Sequence, residues 1–285
     1  MRYHKPPVAY VGQVNLKVEN LERSIQFYQE VIGFSVLEQT DRKAYLTADG
    51  KTALLTIEQP ENAIRSKNRT TGLYHFALLL PTRADLARIV KHFAEINVRL
   101  GASDHLVSEA LYLSDPDGNG IEIYADRDPN HWRWIDDEVD MATIPLNFQD
   151  LLKEESNEPW DKLPAETVMG HIHLQVAELD KNRQFYIEGL GFEVVNFFRG
   201  QALFIADHKY HHHIAMNTWA GVGIPNPAEN HVGLDSFTIV YPNQDRRDQV
   251  IEQLRDIGAT IEEEADTVIT IDPSGNRILL DIHHA

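Results

Sequence analysis

The sequence predicts an α+β fold assembled from four repeated modules, each a strand followed by a helix and further strands. Three observations carry that prediction. First, Gln13-Val14-Asn15-Leu16-Lys17-Val18, with Phe27-Tyr28 and Gly33-Phe34 after it, recurs as His171-Ile172-His173-Leu174-Gln175-Val176, then Phe185-Tyr186 and Gly191-Phe192. The matched positions differ by 158 throughout (13 and 171, 27 and 185, 33 and 191), as an internal duplication requires. Second, Asp115-Pro116-Asp117-Gly118-Asn119 recurs as Asp272-Pro273-Ser274-Gly275-Asn276, and Gly72-Leu73 as Gly233-Leu234. Third, the periodicity switches from two to about 3.6 within each unit. The quarters run over residues 8–60, 70–127, 167–220 and 231–285.

Within a quarter each element has a local cause. Val14, Leu16 and Val18 alternate with polar neighbours, as a half-buried strand does. Leu21, Ile25 and Tyr28 keep helical spacing, and Gly33 stands where that helix stops. Asp115 to Asn119 is turn chemistry: Pro116 presets φ, and Gly118 or Asn119 accepts a positive one. Asp115, Gly118 and Asn119 are read as turn residues only, because the fourth quarter keeps Asp272, Gly275 and Asn276. Residues 1–127 form an N-terminal half of two modules and 167–285 a C-terminal half. Between them 128–166, rich in Asp, Glu, Pro and Trp, matches no quarter and reads as a linker packed along the surface through Trp132, Trp134 and Trp160.

Composition narrows the function. Lys and Arg total 26 against 44 Asp and Glu, a formal charge of -18, which repels phosphate backbones and anionic lipid. Neither nucleic acid nor a membrane is an expected partner. There is no cysteine, so disulfides, thiolate metal sites and cysteine nucleophiles are excluded. No apolar stretch is long enough to span a bilayer or serve as a secretory signal, and the cytoplasm is the expected location.

The run Tyr112-Leu113-Ser114-Asp115-Pro116-Asp117-Gly118-Asn119-Gly120-Ile121-Glu122, on four such modules, resembles the signature of extradiol ring-cleaving dioxygenases of the vicinal oxygen chelate superfamily. The resemblance extends over both halves and implies βαβββ modules paired into two cups of mixed sheet. It also implies that Glu122 is a metal ligand and Tyr112 an active-site residue. The family's other ligands are histidines in the setting His-x-x-Leu-x-aliphatic, which His75 and His171 both satisfy. His212, three residues before Ala215, matches the family's acid/base histidine. His105, on a shorter loop than the family's, resembles a further substrate-contacting histidine.

Equivalent positions across the quarters then predict how the modules pair. The first-strand ligand position reads Gln13, His75, His171 and Ser236, and the last-strand position reads Glu122 and Leu279. Pairing neighbours in order yields no set of two histidines and a carboxylate. Pairing modules 2+3 and 1+4 collects His75, Glu122 and His171 in one cup and leaves Gln13, Ser236 and Leu279 in the other. Leu54 and Ile269, opposite His212 and Tyr112, also fall in the second cup. A lone strand histidine is more often structural than a ligand, so the weight rests on the joint match. His173 is expected to face away from His171, His211 and His213 to face outward, and His208, His283 and His284 to lie at the surface.

Two imidazoles and one carboxylate are the ligand set of non-haem Fe(II) oxygenases, with manganese an alternative. The resemblance thus implies a catechol 2,3-dioxygenase with a catecholic substrate and O2 as partners, and the exposed sheet edges of the superfamily leave homo-oligomerisation open. Two other readings stand beside it. One is a glyoxalase-like isomerase, which would recruit Gln13 or a second carboxylate; the other is a metal-free small-molecule binding protein.

Overall fold

The computed structural model describes residues 2–65, 69–154, 158–265 and 267–284. Module 1 comprises β1 (Tyr10–Lys17), α1 (Leu21–Phe27), β2 (Ser35–Gln39), β3 (Lys43–Thr47) and β4 (Ala53–Glu58). Module 2 comprises β5 (Gly72–Leu79), α2 (Arg83–Glu95), β6 (Gly101–Asp104), β7 (Ser108–Ser114) and β8 (Gly120–Asp126). The connecting segment adds the two-residue strands β9 (Trp134–Ile135), β10 (Glu138–Val139) and β11 (Ile144–Pro145), and the short helix α3 (Phe148–Leu151). Module 3 holds β12 (Val168–Gln175), α4 (Leu179–Gln184), β13 (Glu193–Phe198), β14 (Ala202–Ala206) and β15 (Ile214–Asn217). Module 4 holds β16 (Gly233–Tyr241), α5 (Gln244–Asp256), β17 (Ile261–Glu264), β18 (Thr267–Ile271) and β19 (Arg277–Ile282).

The strands form two large sheets and a small hairpin. One large sheet has eight strands in the order β17-β18-β19-β16-β1-β4-β3-β2; the other has nine, β11-β6-β7-β8-β5-β12-β15-β14-β13. Modules 1 and 4 therefore share a sheet through the antiparallel β1–β16 pair, and modules 2 and 3 through β5–β12. This is the crossed pairing expected from the ligand positions. In every module the last strand lies parallel beside the first, as β4 does to β1, β8 to β5, β15 to β12 and β19 to β16.

Side-chain alternation divides labour between the two faces of the strands. Val14 and Leu16 of β1, Phe76 and Leu78 of β5, Ile121 and Ile123 of β8, and Ile172 and Leu174 of β12 all enter one continuous buried apolar core. Their odd–even partners are free to carry chemistry. The expected helix stop holds: Gly33 caps the first module's helical segment at φ +98°, and a Cβ there would stand 2.9 Å from the Leu163 nitrogen.

The repeated Asp-Pro turn does more than reverse the chain, contrary to the sequence reading. Buried Asp115 accepts Asn119 N–H bonds within its turn and the hydroxyl proton of Tyr28 at 2.9 Å, and Asp272 does the same with Asn276 and Tyr186, again at 2.9 Å. Each bond ties a helical segment to the turn of the following module. The halves are thus latched through helices and turns while their strands cross over.

The connecting segment also departs from expectation. Trp132 is buried against Tyr3 and Tyr210, its Nε1–H donating to the carbonyls of Val107 and Arg127, and β11 extends the nine-stranded sheet beside β6. An indole has enough apolar area to favour burial once its single donor is satisfied. Trp134 and Trp160 are only partly buried.

Candidate metal and active site

Three neighbouring strands of the nine-stranded sheet bring the proposed ligands together. In the β8-β5-β12 register Ala77 stands opposite Glu122 on one side and His171 on the other, and His75 lies two residues back on the same face. The small Ala77 side chain leaves the space into which the three larger groups converge. Gly120 allows β8 to lie this close, because a Cβ there would collide with the carbonyl oxygen of Tyr74.

The ligand atoms of His75, Glu122 and His171 all lie within 4.8 Å of one another, and among the described residues this is the one such cluster of potential metal donors. His75 Nε2 is 3.0 Å and His171 Nε2 3.2 Å from Glu122 Oε2. The residues are 6%, 3% and 1% exposed respectively. Burial works to raise the Glu122 carboxyl, but the two imidazoles outweigh it and hold the group well below the usual carboxylate range. Burial pushes His171 down to about 4 against the pull of Glu122. A buried carboxylate beside an imidazole held neutral leaves an uncompensated negative charge, which a dication offsets. These donors fit Fe(II) or Mn(II), and an ionised Glu122 and a neutral His171 are in the protonation state that coordination needs.

The two remaining sequence candidates flank this cluster with a further histidine. Tyr112 is directly across from Glu122 on β7. His105 Nδ1 donates to the Ala142 carbonyl at 2.7 Å, so its Nε2 is the acceptor and receives the Tyr112 hydroxyl proton, also at 2.7 Å. Burial first, then the charge of Glu122, push the phenol well above 10, so it remains a neutral donor. His212, on the loop from β14 to β15, packs against His171 with ring centroids 4.1 Å apart. Its Nδ1 lies 2.8 Å from His211 Nδ1.

His75, Glu122, Tyr112, His105 and His212 open onto one cavity of about 490 Å³, walled by Phe198, Phe204, Trp219, Tyr74 and Met141 among others. No Lys or Arg lines it among the described residues. The connecting segment supplies Met141, Ala142 and Thr143 to this wall, a contribution no repeat comparison could reveal because the segment has no counterpart.

Three histidine expectations are corrected. His173 shares the face of His171, since residues two apart on a strand point the same way, and it lines the cavity 4.9 Å from the His75 ring. Asn217 Oδ1 accepts from Trp219 N, which turns its Nδ2–H toward His173 Nε2 at 3.0 Å. His173 Nδ1 therefore carries the proton. The period-two rule alone could have found it. His211 and His213 are fully buried rather than outward-facing. The first meets Asp126, and the second donates from Nε2 to the Tyr3 carbonyl, because the segment before β1 folds over them. His208 and His284 are exposed and His283 is partly so.

The second sheet carries no matching cluster among its described residues. Gln13 donates to Thr56 Oγ1 at 2.6 Å, and Ser236 accepts from Asn15 Nδ2 at 3.0 Å.

The profile of the Glyoxalase/Bleomycin resistance protein/Dioxygenase superfamily matches residues 10–123 and 168–280. The chain is 45% identical over 267 residues to the catechol-2,3-dioxygenase of Bacillus subtilis (strain 168), covering 93% of this chain and 94% of that protein. Among solved structures, one from Bacillus subtilis superposes with a TM-score of 0.65 at 13% identity, covering 96% of this chain and 84% of the other. Glyoxalase I from Zea mays superposes with a TM-score of 0.56 at 15% identity, over 95% and 92%. At those identities the structural likeness concerns the fold alone.

Proposed function

Because the chain belongs to the Glyoxalase/Bleomycin resistance protein/Dioxygenase superfamily, we propose that it is an Fe(II)-dependent extradiol dioxygenase. It cleaves the ring of catechol or a substituted catechol beside the diol, inserting both atoms of O2 to give a 2-hydroxymuconic semialdehyde type of product. The observation that carries this reading is the convergence of His75, Glu122 and His171, the first two of which line a cavity that also presents His212 and Tyr112. The 45% identity to a catechol-2,3-dioxygenase supports it.

In this reading His75, Glu122 and His171 hold the iron. Bound Fe(II) would supply a Lewis acid for the two diol oxygens and the electrons through which dioxygen reacts. His212 accepts a proton from one substrate hydroxyl and later returns it to the departing oxygen, as a positioned imidazole can. Tyr112, kept protonated by its burial and by Glu122, would turn its one O–H from His105 Nε2 to donate a hydrogen bond to an oxygen at the reacting carbon. Phe198, Phe204, Trp219 and Tyr74 exclude water and stack on an aromatic ring. The absence of a cation from the described cavity wall favours a ring with neutral substituents over one bearing a carboxylate.

An isomerase of the glyoxalase kind would need a further protein ligand. Gln13 stands in the other sheet bonded to Thr56, so the observations favour the dioxygenase.

The test is anaerobic reconstitution with Fe(II), then addition of catechol and air. Stoichiometric iron, oxygen uptake and a yellow ring-fission product are expected, with catechol turned over faster than 3,4-dihydroxybenzoate. Absence of both oxygen uptake and product in an iron-loaded protein would overturn the proposal.

A further inference from the structure

The loop between β14 and β15 carries three consecutive histidines, and the function proposed above uses only the middle one. His211 is fully buried, with Tyr210 4.1 Å and Trp132 5.3 Å from it between ring centroids. Its two nitrogens have different partners. Nε2 is 2.9 Å from Asp126 Oδ1, and Nδ1 is 2.8 Å from His212 Nδ1. Asp126 ends β8, four residues beyond Glu122 on the same face of the strand, and also accepts from the Tyr210 hydroxyl at 3.3 Å.

We propose that Asp126 and His211 are positioning residues that hold His212 in a single tautomer, with its proton on Nδ1 and Nε2 bare toward the cavity. An ionised carboxylate only accepts, so His211 Nε2 carries a proton and donates to it. In its neutral form His211 has one N–H, the one on Nε2, so its Nδ1 is bare and the proton in the short contact belongs to His212 Nδ1. His212 Nε2 has no protein partner among the described residues, and the ring lines the cavity. The atom left open is therefore a base.

The consequence for turnover rests on the dioxygenase reading, whereas the tautomer does not. When a substrate O–H bond breaks, the electron pair stays on oxygen and the proton goes to His212 Nε2. The Nδ1 proton stays in place, donating to His211, and the Asp126 carboxylate stabilises the imidazolium from behind, as an aspartate does for a triad histidine. The repeat isolates this chain as it isolates the metal ligands. The positions equivalent to His211, His212 and Asp126 in the other sheet are Ala53, Leu54 and His283, which cannot make it.

The test begins with the metal-free, 15N-labelled full-length chain, using long-range 1H–15N correlation of the imidazoles. The His212 signals are identified by their loss in His212→Gln. The expected spectrum shows His212 protonated at Nδ1 and bare at Nε2. His211→Phe, which keeps a ring in the aromatic cluster, should move the proton to Nε2, and Asp126→Ala should weaken the preference if the first variant does not fold. In iron-loaded protein, His211→Phe should lower kcat roughly 10- to 100-fold, the range seen when an orienting partner is removed, with KM and iron content nearly unchanged. In a His212→Ala background the same substitution should add almost nothing. Wild-type His212 protonated at Nε2, or an equal loss from His211→Phe with and without His212, would overturn the proposal. If wild-type iron-loaded protein cleaves no catechol while the tautomer is as stated, the dioxygenase reading alone fails.

Discussion

Lowering the pH from 7 to 5.5 should destabilise the metal-free protein through histidines that folding keeps neutral. His4 and His171 are both pushed down to about 4, chiefly by burial, with the Gly170 carbonyl and Glu122 respectively pulling the other way. Burial also drives His173, His212 and His213 well below their ordinary value. Between about pH 6.5 and 4 the unfolded chain binds protons that the folded chain does not, so stability rises with pH and is lost as pH falls through that window. For His4 and His171 the loss between pH 7 and 5.5 is about 1 kcal/mol each, growing to about 3 kcal/mol each by pH 4. The other three act in the same direction, so the total is a large fraction of the roughly 5–15 kcal/mol that holds a domain folded. The assay is urea unfolding at both pH values in EDTA, comparing wild type with His4→Gln. Glutamine can still donate to the Gly170 carbonyl, which His4 Nε2 reaches at 2.8 Å, but it does not titrate. Its loss on acidification should be smaller than wild type's by about 1 kcal/mol. The comparison cancels the effect of the overall acidic charge, which both proteins share. Equal losses in the two proteins would refute the burial argument.

Three further outcomes separate roles at the site. Glu122→Gln removes the one anionic ligand and should lower iron affinity at least about 100-fold, read as metal content after gel filtration, while relieving the buried charge in the metal-free protein. His212→Ala should retain stoichiometric iron but lose roughly 10²- to 10⁴-fold in turnover, about 3 to 5 kcal/mol; loss of iron instead would make it a ligand. Gln13→Ala should leave iron content and catechol turnover nearly intact, because its partner is Thr56 in the other sheet, and a collapse of either would count against a vestigial second cup.

What could be read from the chain alone is what depends on local spacing or on comparison between repeats. Alternation in Val14, Leu16 and Val18, the stop at Gly33 and the Asp115 and Asp272 turns arise from backbone geometry within a few residues. The crossed pairing was legible for a different reason: Gln13, Ser236 and Leu279 cannot bind a metal as two histidines and a carboxylate can, so only one arrangement of modules yields a complete set of donors. His173 was legible in principle, since the strand period sets it beside His171, and the reading that turned it away misapplied that period.

The rest depended on contacts between residues far apart in sequence. His211 meets Asp126, 85 positions away, only because β8 and the loop before β15 flank the same β5–β12 pair. Ala142, in a segment with no repeat counterpart, offers a carbonyl to His105 and thereby sets which nitrogen receives the Tyr112 proton. The residue types capable of the chemistry are local properties of the chain. Which nitrogen is bare, which charge lacks a counterion and which wall closes the cavity follow from burial and hydrogen-bond geometry, which exist only once the two sheets have formed.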